Sequence, residues 1–116
     1  MQLLKSILGG GGNNVSAADA QSLINGDNTP FILDVRQPEE YRAGHIAGSR
    51  LIPLDQLGQQ MNQLPQNRTI LCVCASGSRS SFAARQLERA GYTVANLSGG
   101  MMAWQRAGLP VKKGSK

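Results

Sequence analysis

One junction narrows the folds open to this chain more than any other stretch, the point where the run Thr69-Ile70-Leu71-Cys72-Val73 passes without a spacer into Cys74-Ala75-Ser76-Gly77-Ser78-Arg79. A short β-branched and apolar run bounded by small polar residues reads as a strand buried on both faces. From about Ser80 the spacing changes to that of a helix, with Ala83, Ala84, Leu87 and Ala90 on one face and Gly91 as the stop. A strand that is apolar on both sides needs helices above and below it, which is the layout of an α/β domain with a parallel sheet.

The rest of the chain fits that layout. Ser16, with Asp19 three residues later, predicts the N-cap of a helix that carries Ala20, Leu23 and Ile24 inward and stops at Gly26. Phe31-Ile32-Leu33 leads into Asp34-Val35-Arg36 as a second buried strand, and Pro38 suits the first turn of a helix through Ala43. Leu51-Ile52 reads as a short strand, and Asp55 as the cap of a helix ending before Pro65. Residues 92–97 form another strand, Gly99-Gly100 a turn, and residues 101–107 a last helix closed by Gly108 and Pro110.

A length of 116 residues suits one domain. Residues 1–14 read as a flexible leader, with Leu3, Leu4, Ile7 and Leu8 on one side of a short helix before a break at 9–12 and Asn13-Asn14. Residues 15–110 read as the domain and 111–116 as a basic tail. The formal charge of +5 owes much to that tail, where Lys112, Lys113 and Lys116 cluster, and aromatics make up only 4%. Nucleic-acid binding, which uses a basic stripe with stacking groups, is therefore not expected. No run approaches the ~20 apolar residues of a membrane span, and residues 1–8 are too short for a secretory h-region, so the expected location is cytoplasmic. A disulfide across the one-residue spacing of Cys72 and Cys74 would be strained, which predicts free thiols. With His45 they fall short of the four ligands of a metal centre, so no metal is expected.

Cys74 holds the position that matters chemically. In open parallel α/β sheets ligands bind where strands end and helices begin, because backbone N–H groups and helix dipoles converge there. Positive potential at that point stabilises a thiolate. Ala75, Ser76, Gly77 and Ser78 are small enough for the backbone to curl into a cradle of donors for an anion, and Arg79 can add charge at the rim or brace the loop carbonyls. Cys72, inside the strand, reads as a core residue, with a resolving role as the alternative.

The stretch from Cys74 through Ser80 resembles the active-site loop of the rhodanese sulfurtransferases, a cysteine followed by two residues, glycine, one residue, arginine and serine. Asp34-Val35-Arg36 with Glu40-Tyr41, then Gly44-His45-Ile46-Ala47-Gly48-Ser49 and Ile52-Pro53, are similar to the family's upstream signatures. Leu97-Ser98-Gly99-Gly100 with Ala103-Trp104 is similar to its closing one, and the set occurs in the family's order over roughly residues 15 to 110. The resemblance implies a rhodanese-like α/β fold, with a central mostly five-stranded parallel sheet flanked by helices on both faces.

It also implies a catalytic Cys74 that alternates between thiol and persulfide, with Ala75, Ser76, Gly77, Ser78, Arg79 and Ser80 around the substrate and no cofactor. The partners implied are a small anionic sulfur donor, such as thiosulfate, and a thiol, protein-thiol or cyanide acceptor, served by a monomer or weak homodimer. Asp34 and Arg36 are expected at the edge of the site, with an Arg36–Glu40 ion pair as the favoured structural role. His45 is expected to make a structural hydrogen bond, and Trp104, Met101 and Met102 to pack in the core or at the rim. Two rivals stand beside this reading. One is a non-catalytic module that binds a partner protein. The other is a cysteine-dependent phosphatase or arsenate reductase, against which the loop length argues, since Cys74 and Arg79 enclose four residues and the tyrosine-phosphatase type of loop is one residue longer.

Overall fold

A computed structural model describes residues 13–115. The apolar stretch at 1–8 and the glycine run at 9–12 lie outside the described residues. Within them, β1 (Asn14–Val15), β2 (Phe31–Asp34), β3 (Arg50–Leu51), β4 (Ile70–Val73) and β5 (Val94–Leu97) form one sheet in the order β1-β5-β4-β2-β3. Every pairing is parallel. β4 therefore lies in the middle, with Leu71 opposite Ile32 on one side and Ala95 on the other.

The unbroken apolar runs have a direct structural cause. Successive strand residues point to opposite faces, and both faces are covered. Leu33, Val35, Ile70, Cys72, Cys74 and Val94 share one core with Ala83, Ala84 and Leu87 of helix α4 (Ser78–Arg89) and with Leu57 of the short helix α3 (Leu57–Gln60). Ile32, Leu71, Val73, Ala95 and Leu97 share the other with Ala17 and Ala20 of α1 (Ala17–Ile24) and Met101 and Trp104 of α5 (Gly100–Arg106). Each fully buried Leu or Ile contributes about 2 kcal/mol of apolar transfer, so a polar residue on either face of β4 would be costly. Helix α2 (Pro38–Ala43) begins with Pro38 as expected, and Ser16 caps α1 by accepting a hydrogen bond from Asp19 N at 3.1 Å. Among the described residues no helix is long and apolar enough to cross a membrane.

Four local expectations need correcting. Asn14 belongs to the sheet rather than to a flexible break, since it pairs with Asn96 while Asn13 O accepts from Asn96 N at 2.7 Å. A two-residue edge strand is too short to show any hydrophobic alternation. The C-terminal boundary also shifts, because Lys112 exchanges backbone hydrogen bonds with His45 and Gly114 N reaches Arg42 O, which fastens the segment after residue 110 to the domain. Asp55 does not cap a helix through to Pro65. The chain there runs as a 3-10 turn (Leu54–Gln56), one turn of α3 and a second 3-10 turn (Met61–Gln63), because only Leu57 and Leu64 are fully buried anchors and Gly58 weakens the middle. Finally, α4 starts at Ser78 rather than about Ser80, so Arg79 lies in its first turn.

Candidate active site

The sheet ladder ends where Val35 N bonds Val73 O at 2.9 Å, and Cys74 is the next residue along the central strand. From this point the chain leaves β2 and β4 in opposite directions, towards β3 and β5 respectively. That makes the carboxyl end of β4 the switch point at which such sheets bind ligands. Gly77 then turns the chain with φ 104° and ψ −11° to start α4, a conformation that disfavours any side chain. A Cβ there would also come within 3.1 Å of Gly99 N.

The turn directs donors at the sulfur. Gly77 N–H donates to Cys74 Sγ at 3.1 Å and Ser80 Oγ–H at 3.3 Å. The loop carbonyls are held the other way. Met101 N donates to Cys74 O at 2.8 Å and Met102 N to Ala75 O at 3.0 Å, so the first amides of α5 hold the oxygens outward while the following amides face inward. This needs a very close approach, and Gly100, at φ 58°, permits it. A Cβ on Gly100 would overlap Cys74 O and the Ala75 carbonyl group.

Cys74 is 0% exposed, and burial alone would raise its thiol pKa. The Ser80 hydroxyl and the amides of Ser80, Gly77 and Ser76 outweigh that, leaving the thiol below its ordinary value of 9.0. Cys72 lies two residues earlier on the same face with no such donors. Burial, with the nearby Cys74 charge, pushes it up to about 12. Both cysteines are free thiols.

The expected site residues divide into two groups. Ala75, Ser76, Gly77, Ser78 and Ser80 form the cradle or its rim, with Ser76 and Ser78 exposed and Ser80 buried. Arg79 does not brace the loop carbonyls. It makes a two-pronged ion pair with Glu40 of α2 at 2.9 and 2.8 Å, and that hydrogen bonding lowers the Glu40 carboxyl to about 2. The predicted Arg36–Glu40 pair is therefore not formed. Arg36 instead grips the fully buried Asp34 through Nε and Nη2 at 2.9 and 2.8 Å and donates to Gly44 O at 2.8 Å, tying the end of β2 to the C-terminal cap of α2. No described hydrogen bond of Asp34 or Arg36 reaches Cys74.

His45 has the structural role expected of it. Its ring stacks on Tyr41 with centroids 3.7 Å apart, and Nδ1–H donates to the Tyr41 carbonyl at 2.7 Å. Met101 and Trp104 are core, and Met102 is exposed beside the loop. Sequence reasoning missed the α5 amides and Asn96, which touches the Gly77 carbonyl from β5. The paired glycines at the start of α5, Gly99 and Gly100, were the one visible sign of a close approach there.

A family profile described as the Rhodanese-like domain matches residues 16–107. The chain belongs to the rhodanese-like family. A solved rhodanese-related protein from Thermoplasma volcanium matches this rhodanese-like chain with a TM-score of 0.81 and 32% identity, over 86% of this chain and 97% of that one. A sulfurtransferase from Allochromatium vinosum is 37% identical over 82 residues, which is 70% of this chain and 77% of the relative. A putative sulfur carrier protein from Bacillus subtilis is 40% identical over 82 residues, and the match spans 70% of this chain and 44% of the relative's length.

Proposed function

We propose that the protein is a sulfurtransferase that carries sulfane sulfur as a persulfide on Cys74. The observation that carries this reading is the set of donors converging on one sulfur at the end of the central strand, Gly77 N–H at 3.1 Å and Ser80 Oγ–H at 3.3 Å. The Cys74 thiolate attacks the outer sulfur of thiosulfate. A new S–S bond forms, the old one breaks, and its electron pair leaves with sulfite. The persulfide anion moves the charge one atom outward, towards the exposed rim at Ser76 and Ser78. An acceptor nucleophile, either cyanide or a thiolate, then takes the outer sulfur and returns the Cys74 thiolate, a two-step exchange that needs no cofactor. Cys74 is buried, and the loop that follows it carries only small side chains at Ala75, Ser76 and Ser78, which leave little bulk in the way of a donor. Two free thiols suit work in the cytoplasm.

The rival readings draw less support. A phosphatase would want the loop arginine turned to its oxyanion, whereas Arg79 is engaged with Glu40 and the loop is one residue short. A binding module has no use for a thiol surrounded by thiolate-stabilising donors. The test is thiocyanate formation from thiosulfate and cyanide by the purified protein, with Cys74→Ser as control. Turnover is expected from the native protein alone. No turnover, and no sulfur adduct from any of several donors, would remove the proposal.

A further inference from the structure

Asn96 is 5% exposed on β5, behind the active loop, and its carboxamide makes two hydrogen bonds. Nδ2 donates to Gly77 O at 3.3 Å and to Asn14 Oδ1 at 2.9 Å. The Gly77 carbonyl can only accept, so it fixes which way the carboxamide faces. The same carbonyl accepts the α4 backbone bond from Ser81 N at 3.1 Å, which leaves one further lone pair. Two groups reach for it, Asn96 Nδ2 at 3.3 Å and Ser80 Oγ, also at 3.3 Å. Ser80 has a single hydroxyl proton, and its other target, at the same 3.3 Å, is Cys74 Sγ.

From this competition we infer that Asn96 is a positioning residue of the sulfur site: by saturating the Gly77 carbonyl it leaves the Ser80 hydroxyl proton to the Cys74 sulfur. The inference rests on the sulfurtransferase reading for its purpose, although its geometry stands without it. Asn96 makes no hydrogen bond to the sulfur and acts only through Gly77 and Ser80. Asn14 supports it from β1 by taking the other amide proton, which ties the edge strand of the sheet to the active loop. The Ser80 hydroxyl is the strongest of the donors that lower the Cys74 thiol pKa, so diverting it should be visible in the titration of that thiol.

The experiment is a pH titration of thiolate ultraviolet absorbance in the native protein and in Asn96→Ala, Ser80→Ala and the double variant. Cys72, pushed up to about 12, stays protonated through the range used. Asn96→Ala is expected to raise the Cys74 midpoint by about half a unit to one unit, three- to ten-fold less thiolate at a pH below it. In the Ser80→Ala background the same substitution should leave the midpoint unmoved, because no hydroxyl remains to divert. An unchanged midpoint in the native background overturns the inference, and so does an equal rise in both backgrounds. If Asn96→Ala does not fold, Asn96→Leu keeps the volume and still removes the donor. The readout needs no sulfur donor, so failure of the native protein to accept sulfur from thiosulfate would count against the sulfurtransferase reading alone.

Discussion

Cys72 and Cys74 leave the same strand on the same face, contact the same core and are both 0% exposed, yet their thiols shift in opposite directions. Burial is common to the two and therefore does not decide between them. What differs is the backbone around each. Cys72 sits in register between Leu33 and Asn96, where the ladder takes up the neighbouring amides and leaves its sulfur to apolar groups. Cys74 stands one residue past the ladder, where the amides of Ser76, Gly77 and Ser80 have no strand to bond and turn to the sulfur instead. What favours the thiolate here is the end of the strand and not exposure.

The largest test of that contrast exchanges sulfur for oxygen at each position. Cys74→Ser is expected to abolish thiocyanate formation, because a serine hydroxyl is not ionised near neutral pH, while Cys72→Ser keeps most of it. Stability should follow the reverse order in urea unfolding. A hydroxyl at Cys72 finds no partner and costs about 1–3 kcal/mol, whereas one at Cys74 inherits the Gly77 and Ser80 donors and costs under about 1 kcal/mol. Equal losses of stability at the two positions would break the comparison.

The loop backbone gives the next largest effect. Gly100→Ala places a Cβ against the Cys74 and Ala75 carbonyls and should cost about 2–4 kcal/mol and most of the sulfur loading. Gly91→Ala is the control, since at φ 97° a side chain is strained but meets nothing within 4 Å. It should cost about 1–2 kcal/mol and leave loading intact, as unfolding and loading assays on both variants will show.

Ionisation separates the two thiols further. Alkylation by iodoacetamide, followed by mass in the two serine variants, should rise for Cys74 with a midpoint below 9.0 and stay near zero for Cys72 until strongly alkaline pH. Linkage gives opposite signs for stability. The depressed Cys74 adds stability that is present above its unfolded pKa and lost as pH falls through the folded value. The raised Cys72 adds stability that is present below 9.0 and lost as pH climbs towards about 12. Relative to Cys72→Ala, the native protein should therefore lose at most about 1.4 kcal/mol per pH unit in that alkaline window.

The smallest effect expected is at the rim. Glu40→Gln removes the partner of Arg79, but the two side chains are 32% and 36% exposed, so the loss should be about 0.5–1 kcal/mol in urea unfolding, with loading changed only slightly. Since Glu40 is held near 2 rather than 4.5, this contribution is present above pH 4.5 and disappears as pH falls towards 2.

The site was legible in the sequence to the extent that it was local. Ile70 to Val73 announced a buried strand, and Gly77 with its small neighbours announced the turn, because both patterns are written in consecutive residues. Partners chosen across the fold were not legible. Glu40 bonds Arg79, 39 residues away, rather than Arg36, because Arg36 is already satisfied by Asp34 and Gly44 O. Asn96 looked like one more strand residue, since nothing in its own segment shows that it faces Gly77 O. The strand at Asn14 escaped for the opposite reason, being two residues long and ordered by β5 rather than by any pattern of its own.

Everything above turns on sulfur being carried on Cys74 and not on its neighbour. The direct measurement is the intact mass of Cys72→Ser and Cys74→Ser after incubation with thiosulfate, repeated after cyanide. One added sulfur atom is expected on Cys72→Ser, removed by cyanide, and none on Cys74→Ser. A cyanide-labile sulfur on Cys74→Ser, with none on Cys72→Ser, would contradict it.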